Sequence, residues 1–186
     1  MNSKPVYRKG EFYRGELAVN NRSVPVYQSL TNLAVLGNSP NADITTNKTA
    51  SRYVAQTPET ITHDEDGNTL SDGRWNYTWY GENRLIALET SAAAIAAGAP
   101  KQKQENSYDP KGRRVRKIEY EWNLGTSQWD ETSDGLFLYD EWNMITEVDS
   151  AQTVTNTYTW GPDLSGSEQG GGGVGGLLFA DVQGIG

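Results

Sequence analysis

The sequence of 186 residues contains no cysteine, which excludes disulfides and thiolate metal sites and leaves burial and backbone hydrogen bonds to hold the fold. It has a single histidine, His63, so a catalytic triad could form only around that position. The serine and aspartate residues near His63 belong to turn sequences. We therefore predict no catalytic residue, no cofactor and no metal site.

Long apolar stretches are also absent. None approaches the roughly 20 residues that a membrane-spanning helix requires, so no membrane insertion is expected. Residues 1–15 lack the apolar region of a secretory signal peptide. The sequence ends in a glycine-rich run and LLFADVQGIG without a closing element, which favours a piece of a larger exported chain over a cytosolic protein.

Positive charge is scarce, with 16 lysines and arginines against 24 aspartates and glutamates and a formal net charge of −8. One basic run, residues 111–117, is followed directly by Glu119 and Glu121. Phosphate recognition needs clustered cations, so we interpret this run as a solvated strand face. The charge balance predicts that nucleic acid is not a partner.

Amphipathic aromatic residues are abundant, with 10 tyrosines and 6 tryptophans against 3 phenylalanines. Segments 75–80 and 117–122 place aromatic or apolar residues at every second position, and segment 153–160 does so with Asn156 as the one polar member. A period of two gathers these residues on one face of a β-strand, whereas a helix would scatter them. Turn-forming residues separate the segments, at 66–68, 71–73, 81–83, 123–126, 133–135 and 149–152.

These patterns predict an all-β fold of successive antiparallel β-hairpins, with one short helical turn at residues 91–97 (SAAAIAA). The pattern of residues 1–57 is less regular and predicts short strands at 24–27 and 30–36. We expect three regions: N-terminal strands at 1–57, a hairpin array at 58–165 and a glycine-rich tail at 166–186.

A short sequence frame recurs along the array. Residues 63–68 (HDEDGN) and 108–113 (YDPKGR) match position by position, and 79–84 (WYGENR) and 139–144 (YDEWNM) fit the same frame. Aspartate caps a turn through backbone amides, and glycine or asparagine accepts a positive φ, while the aromatic residue anchors the strand end. The residues predicted to have these structural roles are Asp64, Gly67, Tyr108, Asp109, Gly112, Tyr139, Asp140 and Asn143.

With this frame, the sequence resembles the Rhs/YD-repeat family across residues 58–178, most specifically at 64–89, at 108–117 and in the YTWGPDLSGS and GGVGGLL sequences. The resemblance implies a strip of β-hairpins in a curved or spiralling sheet that builds a hollow shell, often around a toxic C-terminal domain. It also implies a bacterial protein that is exported or surface-associated, with repeats linked to carbohydrate binding.

The chain departs from the family pattern at several positions. His63 and Trp79 replace the tyrosine, and Tyr80 stands where the family usually has aspartate, so those turns should be less well capped. The family's Asp-Pro-x-Gly-Leu self-cleavage signature does not occur. We therefore carry over neither autoproteolysis nor a toxin cargo.

Other chemistry finds little support in the sequence. Asp64, Asp66 and Asn68 resemble a calcium loop, but Gly67 comes too early and no bidentate glutamate follows. Glu119 and Glu121 share one strand face, with nothing to separate their pKa values for glycosidase work. The glycine run 170–173 lacks the following lysine and helix of a phosphate-binding loop.

The function expected from the sequence is therefore that of a structural, non-catalytic scaffold segment that self-assembles at the cell surface. Its partners would be itself or the rest of a larger shell. The alternative is a carbohydrate-binding module in which Trp75, Tyr77 and Trp79 stack on sugar rings. Residues 177–179 (LLF) are expected to complete the sheet of a neighbouring molecule, unless the tail folds back over its own chain.

Overall fold

The structure is a computed structural model that describes residue 2 and residues 4–182. Within those residues the chain forms fourteen β-strands and one short helix, which confirms the predicted all-β fold. The strands are β1 (Tyr7–Lys9), β2 (Phe12–Arg14), β3 (Val26–Leu36), β4 (Ile44–Val54), β5 (Thr62–His63), β6 (Thr69–Ser71), β7 (Trp75–Tyr80), β8 (Arg84–Thr90), β9 (Gln102–Tyr108), β10 (Arg114–Asn123), β11 (Gln128–Asp140), β12 (Asn143–Asp149), β13 (Val154–Trp160) and β14 (Leu177–Val182).

The strands pair in chain order. β1 pairs with β2 and β3 with β4, and the remaining strands are hydrogen-bonded in the order β14-β13-β12-β11-β10-β9-β8-β7-β6-β5. Each strand therefore neighbours the one before it, as in a series of hairpins, and the registers are antiparallel. This confirms the predicted succession of antiparallel hairpins.

The strand predicted at residues 75–80 and the turn predicted at 81–83 belong to one of these hairpins. β7 and β8 are neighbouring strands, and the Asn83 amide donates a hydrogen bond of 2.8 Å to the Tyr80 carbonyl across the turn. Asn83 has a φ of 58°, a conformation that asparagine tolerates better than most residues. Strands joined by so short a connection must run antiparallel.

Two compact units make up the chain. The first comprises residues 1–76 and 90–99, and the second comprises residues 77–89 and 100–186. The division into regions 1–57, 58–165 and 166–186 stays a prediction. No helix among the described residues is long and apolar enough to cross a membrane.

The first unit differs from the sequence interpretation at its N-terminal strands. β3 is one continuous strand from Val26, where strands at 24–27 and 30–36 were predicted. It pairs without a register shift along its whole length with β4, which the sequence did not reveal. β4 (ITTNKTASRYV) is largely exposed and has no apolar alternation, so its propensity comes from β-branched threonines that pack across the pair.

The predicted helical turn is the helix α1, Ala92–Ala96, in the same unit. Ser91 caps it, because its Oγ accepts a hydrogen bond of 3.1 Å from the Ala94 amide. Ala94 is fully buried, which explains why so short a helix persists. Gly98 follows with a φ of 97°, the usual conformation for ending a helix.

The tail of the second unit folds back on its own chain. β14 pairs antiparallel with β13, with Tyr158 opposite Ala180 and Trp160 opposite Leu177. The predicted donation of residues 177–179 to a neighbouring molecule is therefore wrong, and the fold-back alternative applies. The glycine-rich run before β14 forms ordered turns, in which Asp163 Oδ2 accepts hydrogen bonds from the amides of Gly171 (2.6 Å) and Gly173 (3.1 Å). This linkage returns the chain to the sheet.

Candidate functional site

The aspartate turn of the sequence frame is a real structural unit, and among the described residues three aspartates cap it by accepting the amide four residues later. Asp64 Oδ1 accepts the Asn68 amide at 2.8 Å, and Asp109 Oδ1 accepts the Arg113 amide at 3.0 Å. The third copy, Asp149 with the Thr153 amide at 2.8 Å, was recognised from the sequence only as a turn. The fourth residue of each turn has a positive φ: 86° at Gly67, 87° at Gly112 and 64° at Gln152.

Hydrogen bonding favours the charged form of the capping aspartates. The hydrogen bond from the Asn68 side chain lowers the pKa of Asp64 below its ordinary value. At Asp109 burial acts to raise the pKa, but the backbone and side-chain hydrogen bonds from Arg113 outweigh it and the net shift is downward. These carboxylates hold turns, and they are not arranged for acid–base catalysis.

Tyr108 and Tyr139 occupy equivalent places in successive hairpins. The Tyr108 hydroxyl donates to the Leu85 carbonyl, and the Tyr139 hydroxyl donates to the Arg114 carbonyl, both at 2.9 Å. An arginine guanidinium lies over each ring, with Arg84 over Tyr108 at 6.0 Å and Arg113 over Tyr139 at 5.1 Å. Both rings are half-buried. The matching contacts support the internal repeat.

A third aromatic anchor escaped sequence analysis because it is a tryptophan. Trp160 donates a hydrogen bond of 2.7 Å from its indole Nε1 to the Met144 carbonyl. Met144 is the last residue of the frame at 139–144, one position earlier than Leu85, which directly follows the frame at 79–84. The indole N–H therefore replaces the tyrosine hydroxyl in this hairpin.

Asp140 does not have the turn-capping role that the sequence frame predicted. It is exposed, and its carboxylate accepts no turn amide from the residues that the structure describes. Asp140 instead pairs with Asn143 across a two-residue turn, where Glu141 takes a φ of 47°. A turn this tight places no amide where the aspartate could cap it. Asn143 is buried, in keeping with a structural role.

The aromatic residues proposed for glycan stacking lie on the half-buried side of β7. Trp75, Tyr77 and Trp79 are partly buried, and the residues between them are exposed. The guanidinium of Arg74 lies 5.0 Å from the centroid of the Trp75 ring. Glycan stacking by these residues stays a prediction. His63 is exposed in β5, which offers no enclosed site for a triad.

The lysine–tryptophan cluster, which we define as Lys101, Lys103, Tyr120, Trp122 and Trp129, covers one face of the sheet in the second unit. Trp122 in β10 stands opposite Trp129 in β11, and Lys103 in β9 stands opposite Tyr120 in β10. The Trp122 amide donates to the Lys101 carbonyl, which extends this pairing beyond the start of β9. Because alternate residues of a strand share a face, the side chains meet on one side.

The ammonium groups of the cluster lie over its rings. Lys101 Nζ is 3.4 Å from the Trp122 centroid and 4.8 Å from that of Trp129. Lys103 Nζ is 4.4 Å from the Tyr120 centroid. The two indoles meet edge to face, with centroids 5.3 Å apart and planes at 82°. Cations and aromatic faces are thus combined on one partly exposed surface.

The two lysines differ in their charge partners. Lys103 forms an ion pair of 2.8 Å with Glu105, which also accepts a hydrogen bond of 3.1 Å from the Tyr120 hydroxyl. The hydrogen bond from Lys103 lowers the pKa of Glu105, while burial, followed by the hydrogen bond to Glu105, raises the pKa of Tyr120. Lys101 forms no ion pair with any residue between 4 and 182.

The basic run at 111–117, which the sequence singled out, is largely neutralised. Arg116 makes a bidentate contact with Asp134, whose side chain is only 6% exposed. Lys111, Arg113 and Lys117 also pair with carboxylates, those of Glu141, Asp109 and Glu119 respectively. Sequence analysis missed the cluster because Lys101 and Lys103 stand apart from this run and only the strand register brings Trp129 to Trp122.

Comparison with known proteins gives partial similarity to nucleases. No family model matches the chain. The tRNA3(Ser)-specific nuclease WapA of Bacillus spizizenii is 32% identical over 103 residues, which is 55% of this chain and 4% of that protein. The tRNA nuclease WapA of Bacillus subtilis (strain 168) gives the same identity and coverage. The chain therefore spans about 4% of the length of the curated relatives it matches.

These relatives overturn three expectations drawn from the sequence. They are named as nucleases that act on tRNA, which contradicts a purely structural, non-catalytic scaffold. The same similarity contradicts two further expectations, that the protein is not an enzyme and that nucleic acid is not a partner. The expectations were wrong because they rested on the charge and motifs of 186 residues, a small part of proteins the size of these relatives.

Proposed function

We propose that this chain is a β-hairpin segment of a longer protein of the tRNA nuclease kind, and that it contributes to the action of that protein on tRNA. The observation that carries the proposal is the 32% identity over 103 residues to proteins named as tRNA nucleases. The matched length exceeds half of this chain, so the similarity involves more than one hairpin.

The hairpins belong, in this proposal, to an array of the Rhs/YD-repeat kind. The recurring aspartate turns at Asp64, Asp109 and Asp149 support this, as do the equivalent hydrogen bonds of Tyr108 and Tyr139. The array would occupy residues 58–165, with divergent strands before it and the glycine-rich tail after it. The longer protein would be exported or surface-bound in bacteria, as the resemblance to that family implies.

The proposal is tested with the complete gene product that contains these residues. We expect it to cleave purified tRNA, and cleavage to fall when residues 100–186, the longer segment of the second unit, are replaced by a linker of equal length. The 186-residue chain, assayed in parallel, reports whether these residues cleave tRNA without the rest of the protein. The proposal is wrong if the complete product leaves tRNA intact, or if the replacement leaves cleavage unchanged.

A further inference from the structure

We propose that the lysine–tryptophan cluster binds unpaired bases of RNA, with a base taking the place of the Lys101 ammonium on the indole of Trp122. The choice of RNA rests on the proposed function. The location rests on the geometry of the second unit, where cations and partly exposed aromatic rings meet.

The arrangement of the two indoles suits a base. The planes of the two indoles are nearly perpendicular, at 82°. A flat group stacked parallel to the Trp122 ring would therefore meet the Trp129 ring at nearly a right angle. That position is now covered by the ammonium of Lys101, 3.4 Å from the Trp122 centroid. Every nucleobase has a π-face, so stacking at such a site accepts bases of any sequence.

Lys101 is free to exchange partners. It forms no ion pair with any residue from 4 to 182, so moving its ammonium breaks no salt bridge. A lysine has a long flexible stem, and its ammonium binds phosphate as a point charge. When a base displaces the ammonium from the ring, the neighbouring phosphate gives the ammonium a new partner. The base and the phosphate therefore bind together.

The surrounding charge limits the kind of RNA that fits. Glu105 forms an ion pair with Lys103, and Glu131 stands opposite Tyr120 in the adjoining strand. A chain with a net charge of −8 attracts a long duplex poorly, and a duplex also hides its bases. We therefore expect a short unpaired segment to bind, such as a loop or a single-stranded end.

The charges of the cluster also predict that the binding constant depends only weakly on salt concentration. For single strands the logarithm of the binding constant falls by about 0.7 per decade of salt for each phosphate neutralised. Of the two lysines in the cluster, Lys103 is paired with Glu105 and Lys101 has no ion pair with a described residue, so the slope should be about 0.7 and well below that of a protein that tracks several phosphates.

The test measures binding of the 186-residue chain to a fluorescently labelled, unstructured oligonucleotide of 2′-O-methyl RNA, followed by anisotropy. The 2′-O-methyl groups prevent cleavage through the 2′-hydroxyl, so binding is measured independently of any nuclease activity. The same oligonucleotide annealed to its complement is the duplex comparison. We expect the single strand to bind and the duplex to bind at least about tenfold more weakly, because stacking requires a free base face.

Matched variants separate stacking from general charge. Trp122→Ala should weaken binding about tenfold or more, which is the range expected for loss of one stacked base. Lys101→Glu should also weaken binding, because it puts a carboxylate where the ammonium would pair with the phosphate. Trp142→Ala and Lys111→Glu are the controls, because Trp142 is 56% exposed and Lys111 pairs with Glu141 elsewhere on the surface. Trp122→Phe keeps an aromatic face and should retain most of the binding, which guards against misfolding as the explanation.

Three outcomes would overturn the inference. They are no binding of the single strand, equal binding of the duplex, and an equal loss in the control variants. None of them bears on tRNA cleavage by the complete gene product, so the proposed function would stand or fall separately. Cleavage by that product together with failure of the oligonucleotide to bind would place RNA recognition outside this cluster.

Discussion

The hydroxyls of Tyr108 and Tyr139 offer a direct measure of the internal repeat. Each donates a 2.9 Å hydrogen bond to a backbone carbonyl of an earlier strand, Leu85 or Arg114. Replacing either tyrosine by phenylalanine removes the donor and leaves the ring in place. The net loss for one such hydrogen bond is about 1 kcal/mol of unfolding free energy, with a range of roughly 0.5–1.5.

The two losses should be similar and additive, because the hydroxyls share no partner. The double variant Tyr108→Phe/Tyr139→Phe is therefore expected to lose about 2 kcal/mol. Urea unfolding followed by tryptophan fluorescence measures this as a shift in midpoint at constant slope. Tyr80→Phe is the control, since the Tyr80 side chain is 55% exposed, and its loss should be near zero. If Tyr108→Phe and Tyr139→Phe change the free energy of unfolding as little as the control does, the repeated tyrosine hydrogen bond does not stabilise the fold.

Three further predictions concern single residues in the second unit. The hydrogen bond of 2.7 Å to Glu147 raises the pKa of Tyr158 to about 12, so stability that is present below about pH 10 should be lost as the pH rises toward 12. Urea midpoints across that range should show the loss in the native chain, and an equal loss in Tyr158→Phe would contradict it. The Ser165 hydroxyl and the loop amides lower the pKa of Asp163 to about 2. The stability that the charged carboxylate contributes should therefore be present at neutral pH and be lost as the pH falls from about 4 to about 2. Asp163→Ala should accelerate hydrogen exchange at the amide of Gly171, and unchanged exchange would refute this role of the carboxylate. Gln152→Gly should stabilise the fold by about 1 kcal/mol, because φ is 64° at that position, and a loss of stability in thermal unfolding would count against strain there.

Local patterns predicted the hairpins well. The alternation in residues 75–80 and 153–160 corresponds to β7 and β13, and Ser91 begins the short helix near its predicted start. These features depend on neighbours a few residues apart, namely side-chain period, turn residues and a capping hydroxyl. A single sequence contains that information directly.

Features set by long-range pairing were missed. The polar strand β4 is held by β3 and has no apolar period of its own. The return of the tail depends on Asp163 binding amides eight and ten residues later, across a glycine run that reads as a flexible linker. Asp140 fits the frame by sequence, but the turn that follows it has two residues where the aspartate turns are longer. In each case the partner, rather than the residue type, decides the structure.

The same distinction shows why counting charges over the chain could not exclude a local site for nucleic acid. Net charge describes the averaged long-range field of a protein, which salt screens over a Debye length of about 10 Å at 0.1 M ionic strength. At contact, an unpaired ammonium over an aromatic face acts by itself, and strand register placed Lys101 on Trp122 while carboxylates paired the more conspicuous cations at 111–117. An acidic chain can therefore carry a local site for an unpaired base, and the shallow salt dependence expected of such a site would distinguish it from a basic surface that tracks many phosphates.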